Sequence, residues 1–125
     1  MDIRQKTDTL IVGGKTYTIT CNFNVMADVQ AQYGGNLVAA LREATTKPLH
    51  TALVFAAAMV NDAADAAGET ERFTPAELGR ALPAAMPGVF ADRIMALVWA
   101  ALEIGGEKKA EPADETPASE ENEKN

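Results

Sequence analysis

A Gly-Gly pair between two short β-prone runs is the feature that most constrains the fold of this chain. Residues 8–12 read DTLIV and residues 15–19 read KTYTI, with Gly13 and Gly14 between them. The tightest loops between antiparallel strands need positive φ angles, which glycine adopts without a steric penalty. Apolar and polar residues alternate in both runs, as they do in a ribbon with one buried face. The stretch therefore predicts a β-hairpin over residues 8–21.

The rest of the ordered chain, residues 22–105, predicts about five helices. Either Asn22 or Asn24 can cap the first helix, and the sequence does not decide between them. This helix stops at the glycines of the segment 33–35, which suit a helix C-terminus. The fold class that follows is α+β, mainly α, with the hairpin at the N-terminus.

Pro and Gly residues punctuate the next two helices. The second is predicted over residues 36–44, and a longer third helix begins after Lys47-Pro48 and ends at Gly68. Its apolar residues follow helical spacing, and polar residues from Asn61 onward interrupt them. The third helix is therefore predicted not to be a membrane span.

The segment 73–78, FTPAEL, carries the strongest local signal for a helix start. Thr74 fits the N-cap, Pro75 the first helical position, and Glu77 the reciprocal position of a capping box. Phe73 is placed to contact Leu78 across the cap. The sequence predicts a fourth helix here that ends near Pro83.

A fifth helix is predicted over about residues 89–104, and its run 94–102, IMALVWAAL, is apolar on every side. A helix of this kind must be buried in its own domain or against a partner. Nine apolar residues are too few to cross a bilayer.

The composition changes sharply at Gly105-Gly106. Residues 107–125 contain seven acidic and three basic residues, two prolines, and no aromatic or β-branched aliphatic residue. Such a segment buries too little apolar surface to offset the entropy lost on ordering. We therefore expect a flexible N-terminus at residues 1–7, one domain at 8–105, and a disordered acidic tail at 106–125. The tail either has a partner or only keeps the protein soluble.

The net charge and the scarcity of reactive residue types argue against several functions. The net charge of −7 and the pI near 4.6 do not suit a nucleic-acid binder, which needs a basic face. His50 is the only histidine, Cys21 is the only cysteine, and Gly13-Gly14-Lys15-Thr16 lacks the spacing of a phosphate loop. No catalytic, cofactor-binding or metal-ligating residues are predicted. The charged N-terminus is not followed by an apolar stretch, which favours a cytoplasmic protein.

The order of these features resembles that of the tail assembly chaperones of long-tailed (siphovirus-type) phages. The resemblance covers roughly residues 8–106: the hairpin with its Gly-Gly-Lys turn, the following TCNFN, the helix ending in Tyr-Gly-Gly, Ala-rich helices, the FTPAEL start and the apolar last helix. The family usually has an acidic residue and Leu around the first helix, where this chain has Asn22 and Val25-Met26. That departure concerns contact residues and leaves the expected fold unchanged.

The resemblance implies a protein that is not an enzyme and works in the host cytoplasm. It would bind the tape measure protein, keep it soluble and recruit tail tube subunits, and it would be absent from the mature virion. The partners expected are thus the tape measure protein, the tail tube protein and further copies of the chain, with no nucleic acid and no membrane.

Two sets of residues are candidates for these contacts. An apolar set on the last helix is predicted to meet the tape measure protein or another copy, with burial in the core as the alternative: Ile94, Leu97, Val98, Trp99 and Leu102. The hairpin offers a strand-pairing edge, for which the candidates are Leu10, Val12, Tyr17 and Ile19.

The resemblance also gives the tail an interpretation. Such chaperones are often made in a short form and in a longer form that arises by a minus-one ribosomal frameshift. Glu107-Lys108-Lys109 can be encoded as GAA AAA AAG, which contains the slippery heptamer A AAA AAG. We therefore predict that this chain is the short product. Codons other than AAA-AAG at the two lysines would exclude this position for the shift.

Other interaction proteins remain as alternatives. A head–tail connector or a small tail-tube component would also need apolar helical surface, but it would stay in finished particles. A toxin–antitoxin or regulatory partner would predict nucleic-acid binding or a neutralised enzyme, and the acidic body argues against the former.

Overall fold

The computed structural model describes residues 6–83 and 86–105, and it confirms the predicted α+β, mainly α class. The elements are β1 (Asp8–Val12), β2 (Lys15–Ile19), α1 (Phe23–Gln32), α2 (Leu37–Glu43), α3 (Pro48–Ala66), α4 (Pro75–Ala81) and α5 (Pro87–Gly105). The predicted acidic tail lies outside the described residues, as does most of the predicted flexible N-terminus.

The two strands form the predicted antiparallel hairpin. Gly13 and Gly14 have φ angles of 58° and 83°, which match a two-residue turn with both central residues at positive φ. The register pairs Val12 with Lys15 and Leu10 with Tyr17. One face of the ribbon therefore carries residues 8, 10, 12, 15, 17 and 19, and this face packs on the helices.

Side-chain caps determine where the helices begin. Asn22, and not Asn24, caps α1, because its side chain accepts a hydrogen bond from the Val25 N–H at 2.9 Å. Asn36 caps α2 in the same way. The capping box before α4 is complete, with Thr74 and Glu77 each accepting a hydrogen bond from the other's backbone N–H.

Helix α3 is the centre of the molecule. Every residue from Val54 to Val60 is buried, and α1, α2, α4, α5 and β2 all contact this helix. Five of those seven residues are smaller than Leu and Met, since alanine occupies 56, 57 and 58 and valine 54 and 60. Small side chains let the surrounding elements approach α3 on all sides. The middle of α3 is thus enclosed, while the first turn of α3 and one face of α5 reach solvent.

Polar side chains fix the segment between α3 and α4. The Asn61 side chain donates a hydrogen bond to the Phe73 carbonyl at 2.9 Å and accepts one from the Phe73 N–H at 2.8 Å. This exchange holds the residue before the Thr74 cap against α3. Helix α4 therefore begins at a fixed position beside α3, with Leu78 fully buried beneath it.

None of the helices in the described part of the chain combines the length and the hydropathy that a membrane span needs.

Candidate protein-binding groove

Large apolar side chains are exposed at seven described positions, and four of them lie together. These four are Ile11, Leu49, Met86 and Val89, which are 55%, 42%, 69% and 47% exposed. All four line a single open groove of about 650 Å³. Contiguous exposed apolar surface on a protein of this size marks a site for a partner more often than scattered single residues do. We call this feature the apolar groove.

The apolar groove is built where four elements meet. Strand β1 forms one wall, the first turns of α3 form the floor, and the end of α4 and the start of α5 form the other wall. Besides the four exposed residues, its apolar lining consists of Leu10, Leu53, Gly79, Leu82, Pro83, Pro87 and Phe90.

Local sequence explains the open space at the bottom of the apolar groove. Gly79 has no side chain to fill it, and a Cβ there would lie 3.5 Å from the Leu53 Cδ1 atom. Helix α4 ends at Ala81, two residues before Pro83, and Pro87 is the first residue of α5. The groove thus lies beside a helix position without a side chain, between the end of α4 and the start of α5.

One charged residue, Arg93, is among the described residues that line the apolar groove, and its charge is paired. Its guanidinium donates to both Asp8 carboxylate oxygens, at 2.9 Å and 2.6 Å, and to the Thr9 carbonyl at 3.0 Å. The hydrogen bonds from Arg93 hold the pKa of Asp8 below its ordinary value. We call these contacts the Arg93 clasp. Because the clasp pairs the charge of Arg93 with that of Asp8, the groove presents a mainly apolar surface.

The predicted contact residues of α5 fall into two groups. Ile94, Leu97 and Val98 are each 2% exposed and belong to the core, which was the alternative reading for them. Trp99 is 49% exposed, and Leu102 is half-buried. A partner can therefore reach Trp99 and the edge of Leu102 without unfolding the domain, but not the other three side chains.

The predicted strand-pairing residues have side chains that face the core. Val12, Tyr17 and Ile19 are buried, and Leu10 is half-buried in the wall of the apolar groove. The two-residue turn makes Val12 and Lys15 a hydrogen-bonded pair, so alternate residues along each strand bond within the hairpin. The backbone groups that point away from the hairpin belong instead to Thr9, Ile11, Thr16 and Thr18.

Apart from Leu10, a candidate for strand pairing, the residues of the apolar groove were missed at the sequence level. Ile11 carried a signal, because the alternation of β1 places this apolar residue on the solvent side with the threonines. Leu49, Met86 and Val89 gave no comparable signal, since they come from segments that only the tertiary fold brings together.

The remaining reactive side chains do not form a site in the described part of the chain. Cys21 is 1% exposed, and burial raises the pKa of its thiol to about 11. The His50 side chain is exposed and lies 4.0 Å from a Glu43 carboxylate oxygen. Residues 6–83 and 86–105 contain no group of three or more His, Cys, Asp or Glu side chains placed to hold a metal ion.

No protein-family model, curated protein or solved structure matches this chain. The function is therefore inferred from the residues and from the geometry of the apolar groove.

Proposed function

We propose that this protein is a tail assembly chaperone of a long-tailed phage. In the host cytoplasm it binds the tape measure protein, keeps that protein soluble and brings tail tube subunits to it, and it does not remain in the virion. It acts through binding and carries out no chemical reaction. The sequence features that resemble the chaperone family support this proposal together with the apolar groove.

The observation that carries the proposal is the exposure of four large apolar side chains in one groove. Removing apolar surface from water contributes about 25 cal/mol for each Å², and the entropic cost of association offsets part of this gain. A long helical client offers the matching shape, because side chains at positions i, i+3, i+4 and i+7 form one apolar stripe. We expect the tape measure protein to lay such a stripe in the apolar groove.

A matched pair of variants tests the role of the groove. Val89→Glu places a charge in the groove, and Val38→Glu makes the same change on α2, outside it. The two valines are 47% and 56% exposed, and both lie in the first turn of a helix, where Glu is tolerated. Both variants should therefore fold and unfold like the wild type.

The measurement is the affinity of each variant for purified segments of the tape measure protein encoded beside this chain. We expect Val89→Glu to weaken binding by at least about tenfold, because the new carboxylate must lose water against an apolar client. Val38→Glu should bind as the wild type does. Equal binding by both variants, or no binding by the wild type, would contradict the proposal.

A second measurement separates a chaperone from a structural component of the virion. Mass spectrometry of purified particles should detect the tube and tape measure proteins and not this chain. Its presence at a stoichiometric level would favour the head–tail connector or tail-tube alternative.

A further inference from the structure

The two outer edges of the hairpin differ in how many of their backbone groups are already bonded. On β1, the Thr9 N–H donates to the Asp8 Oδ1 atom at 2.8 Å, and the Thr9 carbonyl accepts from Arg93 at 3.0 Å. Next to the strand, the Gly13 N–H makes a long bond of 3.5 Å to the Ala81 carbonyl. Among the described residues, Ile11 is the one position of β1 whose outward groups have no partner, so β1 is nearly closed to another strand.

The outer edge of β2 is open. Thr16 and Thr18 direct their N–H and carbonyl groups away from β1, and both residues are exposed. Within the part of the chain that the structure describes, no group bonds these four backbone atoms. Exposed strand edges of this kind are templates for pairing with another strand.

We propose that β2 pairs antiparallel with β2 of a second copy of this chain, about a two-fold axis at Tyr17. In this register Thr16 of each copy lies opposite Thr18 of the other. Both are residues whose backbone groups point outward, so the pair can form up to about four backbone hydrogen bonds. The two hairpins then make one four-stranded sheet.

The side chains of β2 suit a second copy. On the solvent face, threonine lies opposite threonine, a favourable cross-strand pair. The charged residue of the strand, Lys15, bonds to Glu69 of its own chain at 2.6 Å. The two lysines would lie at opposite ends of the ladder, about 14 Å apart, so they do not repel each other strongly. No acidic residue occurs in β2, although the whole chain carries a charge of −7.

The small area of the contact between the two β2 strands limits the affinity of the dimer. A ladder of two short strands buries less than the roughly 1,200 Å² of a stable interface. The pairing is therefore weak in dilute solution and becomes populated when copies are held close together. It does not depend on the function proposed above, because it uses β2 and not the apolar groove.

Cysteine cross-linking tests the register. In the proposed pair the Thr16 and Thr18 Cα atoms of different copies are about 5.5 Å apart, within the range of a disulfide. Two Thr16 residues are about 8–9 Å apart, which is outside that range. A mixture of Thr16→Cys and Thr18→Cys proteins at high concentration should form a disulfide-linked dimer on oxidation. Each variant alone should not, and the wild type controls for the buried Cys21. An absence of dimer in the mixture, or equal amounts in all samples, would overturn the proposal.

A second pair of variants tests the hydrogen bonds. Thr18→Pro removes an outward N–H and no bond of the hairpin, whereas Thr18→Ala keeps the N–H. By sedimentation, Thr18→Pro should raise the dissociation constant of the dimer on the order of tenfold, and Thr18→Ala should change it little.

Amide hydrogen exchange tests the same pairing in the wild type. The amides of Thr16 and Thr18 should become protected from exchange as the protein concentration rises, while the amide of Ile11 should not. Unchanged exchange at all concentrations would overturn the pairing. A loss of tape measure binding by Thr18→Pro, with a wild type that stays monomeric, would assign the edge to the client.

Discussion

At the residue scale, burial determines the chemistry of Cys21. Cys21 follows β2 and is 1% exposed within the core. Burial disfavours the thiolate, which raises the pKa of the thiol to about 11, and the thiolate is the form that reacts. This cysteine therefore packs as a small apolar side chain.

We predict that the Cys21 thiol reacts slowly in the native protein. In the native protein at pH 8, we expect an aromatic disulfide reagent to modify it at least about a hundredfold more slowly than in denaturant, because the thiol is both buried and protonated. The change in absorbance on release of the reagent's thiol measures this. Rapid modification without denaturant would show that the pocket around Cys21 opens readily.

At the element scale, the helix and strand boundaries were largely predictable because local chemistry sets them. The capping box at Thr74 places the start of α4, and the two glycines of the turn place the hairpin. The choice between Asn22 and Asn24 was open in the sequence. It is settled in the fold by the Val25 N–H, which donates to the Asn22 side chain, whereas both asparagines donate to Asp62 on α3.

The apolar groove could not be predicted because it depends on contacts between distant segments. Its walls come from residues 9–11, 49–53, 79–83 and 86–93, and no local pattern indicates that these segments meet. The separation of the apolar residues of α5 into buried and exposed ones has the same cause. Ile94 and Trp99 are equally apolar in sequence, but only the position of α3 decides which of them is covered.

Glycine substitutions give a prediction for α4. Gly79 lies inside this helix, and an added Cβ would meet the Leu53 Cδ1 atom at an ordinary contact distance of 3.5 Å. Gly79→Ala should therefore raise the free energy of unfolding by about 0.5–1 kcal/mol, since alanine loses less backbone entropy in a helix. Gly35, at a φ of 84°, is the control, and Gly35→Ala should lower the free energy of unfolding by a similar or larger amount. Urea unfolding measures both changes. A less stable Gly79→Ala protein would mean that α4 cannot accommodate the added methyl group.

At the scale of the whole molecule, two carboxylates connect different elements of the fold. Asp8 connects β1 to α5 through the Arg93 clasp. Glu43, at the end of α2, accepts hydrogen bonds from Tyr33 after α1 and from Thr51 on α3. The pKa of each carboxyl group is lowered, chiefly by the hydrogen bond from Arg93 for Asp8 and from Tyr33 for Glu43. Both groups are thus more acidic in the folded protein than in the unfolded chain.

The lowered pKa values of Asp8 and Glu43 determine how the free energy of unfolding changes with pH. A carboxyl group with a lowered folded pKa contributes its full stabilisation above its unfolded pKa, which is about 4. The contribution is lost as the pH falls through the folded pKa, because the unfolded chain takes up protons first. The free energy of unfolding should therefore decrease below about pH 4.5, and the links of β1 to α5 and of α2 to its neighbours should weaken together.

Asp8→Asn isolates the share of the Arg93 clasp in this acid sensitivity. Because the pair is partly exposed, the variant should be less stable than the wild type by only about 0.5–1 kcal/mol at pH 7. The difference should shrink as the pH falls through the folded pKa of Asp8, because the wild-type carboxyl group then becomes neutral as well. Urea unfolding of both proteins across this range measures it, with Asp28→Asn on the exposed face of α1 as the control. A difference that stays constant from pH 7 to pH 3 would mean that Asp8 stabilises the hairpin through its shape and not through its charge.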